Sequence, residues 1–376
     1  MKKQKKQAIL RTNLFLLSCS IIVSLLLGEY IAMPVLLKLL NRPNRAMQLF
    51  GLCAQPDTQV DDTPINSQGF TGHVLQRYKS TQNIVRILTL GGSAMFDHRM
   101  TERLIENLAK ATSAKLEIQG GALRSHNTRS SLIKYEKHFY RYSFDYVLIY
   151  HAINDLSANH VKIENFKVDY SHISPWYKRN ILLNHSLITR YVYNHIFWKS
   201  PKHIENGAQF SSCQTFEQNI RELIRLIKRD HGAPILMTFA WYIPDDYTET
   251  KFNQGKLCYN NPNNYDKCPV ELWGSVDYAK EGLRRHNSII RRIAREEEVM
   301  LIDIEGMNPF RNNPQNFGDV CHLSKEGTET FIKIITDFFL SHDLLPEYRS
   351  TKKCMDQLDV FDGYSAVSPK PQVISH

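Results

Sequence analysis

The chain predicts a three-layer α/β/α domain built on a five-stranded parallel sheet, and two observations carry that expectation. Five short apolar runs rich in β-branched residues, Ile84 to Leu90, Lys115 to Gln119, Tyr146 to Tyr150, Pro234 to Phe239 and Val299 to Ile304, are each of strand length. Stretches with helical spacing separate them. Strands that alternate with helices need crossover connections, which leave the strands parallel and cover both faces of the sheet.

Taken in order, the chain begins with a basic tail. Lys2, Lys3, Lys5, Lys6 and Arg11 precede the uncharged, mostly apolar run Leu14 to Leu27, and with Ala8 to Leu10 and Ile31 to Leu37 this could span a bilayer as a helix. The five cations favour a cytoplasmic N-terminus, with everything after the run on the far side. No convincing cleavage site follows near Gly28 and Glu29, so residues 1–40 are read as an uncleaved signal anchor. Residues 41–80, rich in Asn, Pro, Gln, Asp and Thr, read as a stalk, and 81–344 as the folded domain.

Within that domain Thr101 to Thr112 sets Leu104, Ile105 and Leu108 on one side, and Phe216, Ile220, Leu223 and Ile227 form a stripe ending at Gly232. Tyr278 to Glu298 and Gly327 to Leu340 complete the helices. The aromatic, basic segment at about 156–212 does not fit the alternation and reads as a helical insertion. It holds Trp176, Tyr177, Tyr191, Tyr193, Phe197 and Trp198, which could bind substrate or form the insertion's own core. Residues 345–376 read as a polar tail.

Composition excludes several classes. With 42% hydrophobic and 23% charged residues, 17 Gly and 15 Pro, the chain is not collagenous, wholly disordered or polytopic. Its net charge of +9 shrinks once the tail is set aside, because the other 365 residues hold 42 basic and 38 acidic residues. That residue of charge, without a reader motif, argues against nucleic acid. Of seven cysteines, Cys258 and Cys268 bracket a polar Asn- and Pro-rich loop suited to a disulfide in an oxidising compartment, although two free thiols fit equally. No tight C-x-x-C pair or His/Cys cluster points to a metal.

Chemistry in parallel α/β sheets gathers at the carboxyl ends of strands. The first run ends in Gly91-Gly92-Ser93-Ala94, a sharp turn that could expose the Ser93 hydroxyl at a helix start, or could be only a tight connection or a phosphate cradle. The third ends in His151-Ala152-Ile153-Asn154-Asp155, where the Asn154 amide could donate to an oxyanion or merely form a turn. Before the last helix stands Asp319-Val320-Cys321-His322, a carboxylate three residues from an imidazole that it can orient.

In this order the blocks resemble the SGNH (GDSL-like) hydrolase superfamily, in its membrane-anchored bacterial type. Gly91-Gly92-Ser93 matches the serine block, Gln119-Gly120-Gly121-Ala122-Leu123-Arg124-Ser125 the glycine-bearing loop after strand two, Ala152-Ile153-Asn154-Asp155 the G-x-N-D block, and Asp319 to His322 the D-x-x-H block. Asn66-Ser67-Gln68-Gly69-Phe70 resembles a stretch that often precedes the serine block. Gly92 stands where Asp is usual and Ala152 where Gly is usual; neither removes a reactive group.

The resemblance, which spans about residues 60–342, implies a flavodoxin-like fold and a serine esterase. Ser93 would be the nucleophile, His322 the base and Asp319 its orienting acid. Ser93, Gly121 or Arg124, and Asn154 would form the oxyanion hole. His98 and His151 are read as surface or packing residues. No metal or organic cofactor is implied, and the expected partners are the membrane and an acylated small molecule or carbohydrate. O-acyl transfer to a surface polysaccharide, or silent glycan binding on the same fold, are the other outcomes the resemblance permits.

Overall fold

The alternation read from the sequence becomes a six-stranded mixed sheet. A computed structural model describes residues 2–32, 35, 51–79, 84–178, 186–260, 268–311 and 313–345. Its strands are β1 (Thr71–Gly72), β2 (Ile84–Gly91), β3 (Lys115–Gly120), β4 (Tyr146–Tyr150), β5 (Ala233–Met237) and β6 (Met300–Ile302). They lie in the order β1-β3-β2-β4-β5-β6, all neighbours parallel except β1, which runs antiparallel to β3.

The expected purely parallel five-stranded sheet is therefore corrected by one short edge strand. Its origin lies in the segment read as a stalk, for residues 51–79 pack onto the domain. Leu52, Cys53, Phe70 and Leu75 are buried in one of the two cores, and Thr71 and Gly72 pair with Gly120 and Gln119. Polar composition hid this because the segment is held by side-chain hydrogen bonds. Asn66 Nδ2 donates to the carbonyls of Gly72 and His73, and Gln68 Nε2 to that of Leu75.

Side chains alternate across each central strand, as the pleat requires. Val85 and Ile87 of β2, Leu148 and Tyr150 of β4, and Ile235 and Met237 of β5 face one core, with helices α2 (Met100–Ala111) and α6 (Lys325–Ser341). Leu88, Leu90, Val147, Ile149 and Leu236 face the other, beneath α3 (Thr128–Lys137), α4 (Ser212–Arg229) and much of α5 (Val276–Glu296). Each such fully buried apolar side chain contributes about 1.5–3 kcal/mol. Helix α3 has only a weak apolar stripe, and the sequence pattern did not reveal it; Asn127 starts it with a reciprocal capping box to Ser130.

The described residues of the segment expected as a helical insertion are mostly turns. After Ile153–Leu156 come short 3-10 turns, then Leu187–Val192 and a π-helical turn, Tyr193–Phe197. Tyr177 is buried with its hydroxyl 2.7 Å from Ser130 Oγ, a packing role, whereas Phe197 is exposed. The side chains of Trp176 and Tyr191 lie outside the described residues, as do residues 346–376, where most of the polar tail was placed.

At the other end, α1 (Lys2–Leu27) continues into a π-helical turn, Gly28–Ala32. Arg11–Ala32 is long and apolar enough to cross a membrane, its most apolar window is unburied, and a signal sequence would share that length and place. Glu29 accepts hydrogen bonds from Ser186 Oγ (2.9 Å) and the Ile188 N–H (3.0 Å).

Candidate active site

The carboxyl ends of β2 and β4 and the loop before α6 converge on one side chain. Past β2 the backbone turns through the 3-10 turn Ser93–Met95, leaving Ser93 at its start, where the first N–H groups have no partner within the turn. Gly91 and Gly92 are needed for space. A Cβ on Gly91 would meet Met95 Cβ at 2.6 Å, and one on Gly92 would meet Asn154 Nδ2 at 2.3 Å. At position 92 the Asn154 amide lies where a Cβ would stand.

The loop Phe317 to Leu323 is closed by a bridge between those two residues and by a Gly318 N–H to His322 O bond of 2.8 Å. Ser324 then caps α6 through a 3.0 Å bond from the Gly327 N–H. At the tip His322 Nε2 lies 2.7 Å from Ser93 Oγ, and His322 Nδ1 lies 2.7 Å from Asp319 Oδ2. Asp319 is buried, and its carboxylate also accepts the N–H groups of Cys321 (2.9 Å), His322 (2.8 Å) and Cys268 (2.9 Å).

Those contacts decide the charges. Burial pushes the Asp319 carboxyl up, but His322 and the N–H donors outweigh it and hold it below the ordinary carboxylate range. Burial likewise opposes a charge on His322, yet the Cys321 sulfur and Asp319 hold its imidazole well above the usual value. Because burial pushes the Cys321 thiol up to about 12, that sulfur is neutral at pH 7 and Asp319 is the charge that matters there.

The second block sorts its two candidates. The Gly121 N–H donates to Thr89 O at 2.8 Å and so extends the sheet. Arg124 lies in the turn that follows, its guanidinium paired with Asp97 (2.9 Å) and with Asp61. Asn154 Nδ2 donates to His126 O at 2.9 Å, which leaves its second hydrogen for another acceptor. Gly92, Ser93, Asn154, Ile153 and Phe239 line a shallow recess beside the hydroxyl.

Other expectations are settled by position. Cys258 and Cys268 are free thiols, not a disulfide: Cys258 is exposed with its Sγ 4.0 Å from the Tyr242 hydroxyl, while Cys268 is turned toward Asp319 and His322. His151 is buried with Nε2 2.8 Å from Ser131 Oγ, and His98 Nε2 is 3.1 Å from Leu323 O; both join elements together.

Sequence reasoning missed Asp97, whose Oδ2 is 4.0 Å from His322 Nε2. Burial raises its pKa, partly offset by His322 and Arg124. Its signal was available in principle, since it stands four residues after Ser93 and its N–H returns to Ser93 O at 2.8 Å.

No family model matches the chain, and no curated protein matches it. Solved structures similar to it include a GDSL-like lipase from Bacteroides thetaiotaomicron, at 12% identity over 68% of this chain and 88% of the other, with a TM-score of 0.39. An acetylxylan esterase from Geobacillus stearothermophilus is 12% identical over 67% and 93%, with a TM-score of 0.37. A further acetyl xylan esterase is 14% identical over 68% and 99%, at 0.40. Superpositions that loose carry no weight for function, which has to be read from the side chains themselves.

Proposed function

We propose that the chain is a serine ester hydrolase of SGNH type. The observation that carries this is the row Ser93 Oγ, His322 Nε2, His322 Nδ1, Asp319 Oδ2, joined by two contacts of 2.7 Å. Asp319 fixes the tautomer with the proton on Nδ1, so Nε2 presents a lone pair to the hydroxyl. Ser93 Oγ attacks the ester carbonyl as its proton passes to Nε2; the tetrahedral oxyanion is held by the Ser93 N–H and the second hydrogen of the Asn154 amide, with Arg124 as the second-block candidate. His322 then protonates the leaving alcohol, and a water activated by the same nitrogen resolves the acyl-enzyme.

The mouth of the site favours a carbohydrate ester over a lipid one. Asp61, Arg124 and Asp97 form a charged row ending 4.0 Å from His322 Nε2, a setting that suits hydroxyl groups and opposes a long acyl chain. The N-terminal helix would anchor the enzyme, with its five cations in the cytoplasm and the domain outside it.

Turnover of acetyl and longer-chain esters, together with labelling by a fluorophosphonate probe, tests the reading. Ser93→Ala should abolish both. Undiminished turnover by the folded variant would remove Ser93 from the mechanism, and a preference for long chains would remove the carbohydrate assignment.

A further inference from the structure

The row is flanked by a thiol that takes no part in the proton transfers proposed above. Cys268 Sγ, an oxygen of Asp319 and a ring nitrogen of His322 lie within 4.8 Å of one another. Nε2 faces Ser93 Oγ at 2.7 Å, which leaves to the cluster Nδ1, 2.7 Å from Asp319 Oδ2 and 3.6 Å from the second thiol, Cys321 Sγ. Asp319 is buried, and His322 and Cys268 are both half-buried.

Thiolate, imidazole and carboxylate together suit a borderline-soft cation, and three protein donors with an open fourth position make a complete shell for zinc. Bonds of about 2.0–2.3 Å set tetrahedral donors roughly 3.3–3.8 Å apart. Closing the present cluster onto an ion therefore asks the 2.7 Å Asp319–His322 pair to open by roughly 0.6 Å while the Cys268 thiol closes in.

We propose that Cys268 Sγ, His322 Nδ1 and Asp319 form an inhibitory site for a thiophilic divalent cation such as zinc; the inhibition, though not the binding, rests on His322 being the base. The consequence follows from the tautomer. On binding, the Cys268 thiol proton leaves to solvent and the metal takes the Nδ1 lone pair. A neutral imidazole then keeps its one proton on Nε2. That nitrogen can donate to Ser93 Oγ but can no longer take its proton, so the nucleophile is silenced without the cleft being filled. Because the ion competes with protons for the donors, it binds more tightly as pH rises.

The test uses the full chain in detergent, stripped of metal and titrated with Zn2+ or Co2+. One equivalent of Zn2+ should suppress ester turnover, and a chelator should restore it. Co2+ should give a thiolate charge-transfer band in the wild type and equally in Ser93→Ala, a readout that stands even if no ester is ever hydrolysed. Cys268→Ser should lose the band and, measured against its own metal-free turnover, weaken Zn2+ inhibition about tenfold or more, while Cys258→Ser should change neither. In the unmodified chain, Zn2+ should protect Cys268 from alkylation, read by peptide mass spectrometry. Absence of the band in the wild type, undiminished inhibition of Cys268→Ser, or unprotected Cys268 would overturn the site.

Discussion

The two sides of the Ser93 hydroxyl are built in opposite ways. On the side of His322 and Asp319, the groups that would do chemistry are the side chains themselves, carried on one loop and joined by contacts of 2.7 Å. On the side of Asn154, the donors proposed for the oxyanion are one amide and the backbone, and a buried polar framework positions them. Lys134 Nζ, fully buried on α3, donates to Gly121 O and lies 2.8 Å from His126 Nδ1. The carbonyl of that same His126 holds the Asn154 amide, and its Nε2 lies 2.7 Å from Gly51 O. Asp155 is buried nearby, accepting from the Thr128 N–H and hydroxyl. One side invests in reactivity and the other in placement, so the two should fail differently when cut.

The sharpest cut is Asp319→Asn, which keeps the shape and removes the charge that sets the His322 tautomer. Turnover number for an acetyl ester should fall about 10⁴-fold with the fold unchanged by circular dichroism. A loss of less than tenfold would mean that the row is structural. On the other side, Asn154→Ala should cost about 10²–10³-fold in kcat with KM nearly unmoved. Gly92→Ala should reproduce part of that loss, because its Cβ would fall 2.3 Å from Asn154 Nδ2 and push the amide away. If the two losses simply add in the double variant, the amide and the glycine are not one device.

A pH profile separates the sides again. The base must be neutral to act, and His322 is held above its ordinary value of 6.5, so activity is present above that raised pKa and lost as pH falls through it. The acid limb of kcat/KM should lie above pH 6.5 and fall tenfold per pH unit below it. In Asp319→Asn the limb should move down; an unmoved limb would assign it to another group.

This asymmetry also explains what the sequence disclosed. Ser93, Asn154, Asp319 and His322 could be picked out because a reactive group must appear as a particular residue type at a strand end or before the last helix. The parallel strands were legible for a similar reason, since burial on both faces leaves runs such as Ile84 to Leu90. Lys134 was not legible: a lysine among Leu132, Ile133 and Tyr135 reads as the polar face of a helix until the fold buries it. Residues 51–79 were missed because Asn66 and Gln68 hold them with hydrogen bonds, which leave no periodicity. Spacing along the chain left Gly121 and Arg124 as alternatives because it does not show that the Gly121 N–H bonds Thr89 O.

The smallest expected effect tests whether the placing side carries a measurable electrostatic load. Burial lowers the Lys134 pKa to about 7, against the opposing effect of the neighbouring Cys53. The unfolded chain holds the Lys134 proton up to about pH 10.4, so above about pH 7 the unfolded state binds more protons than the folded one. Stability from this group therefore rises with pH, by up to about 1.4 kcal/mol per pH unit, and is lost as pH falls through the folded pKa. Burial pushes the thiols of Cys53 and Cys321 up to about 12, and they bend the curve the other way only above about pH 8.5, where unfolded thiols ionise. Between pH 7 and 8.5 urea unfolding of the wild type and of Lys134→Met should thus diverge, the wild type gaining with pH relative to the variant. Parallel curves would mean that Lys134 keeps its proton inside the fold, and that the charge beneath the Gly121 loop is permanent.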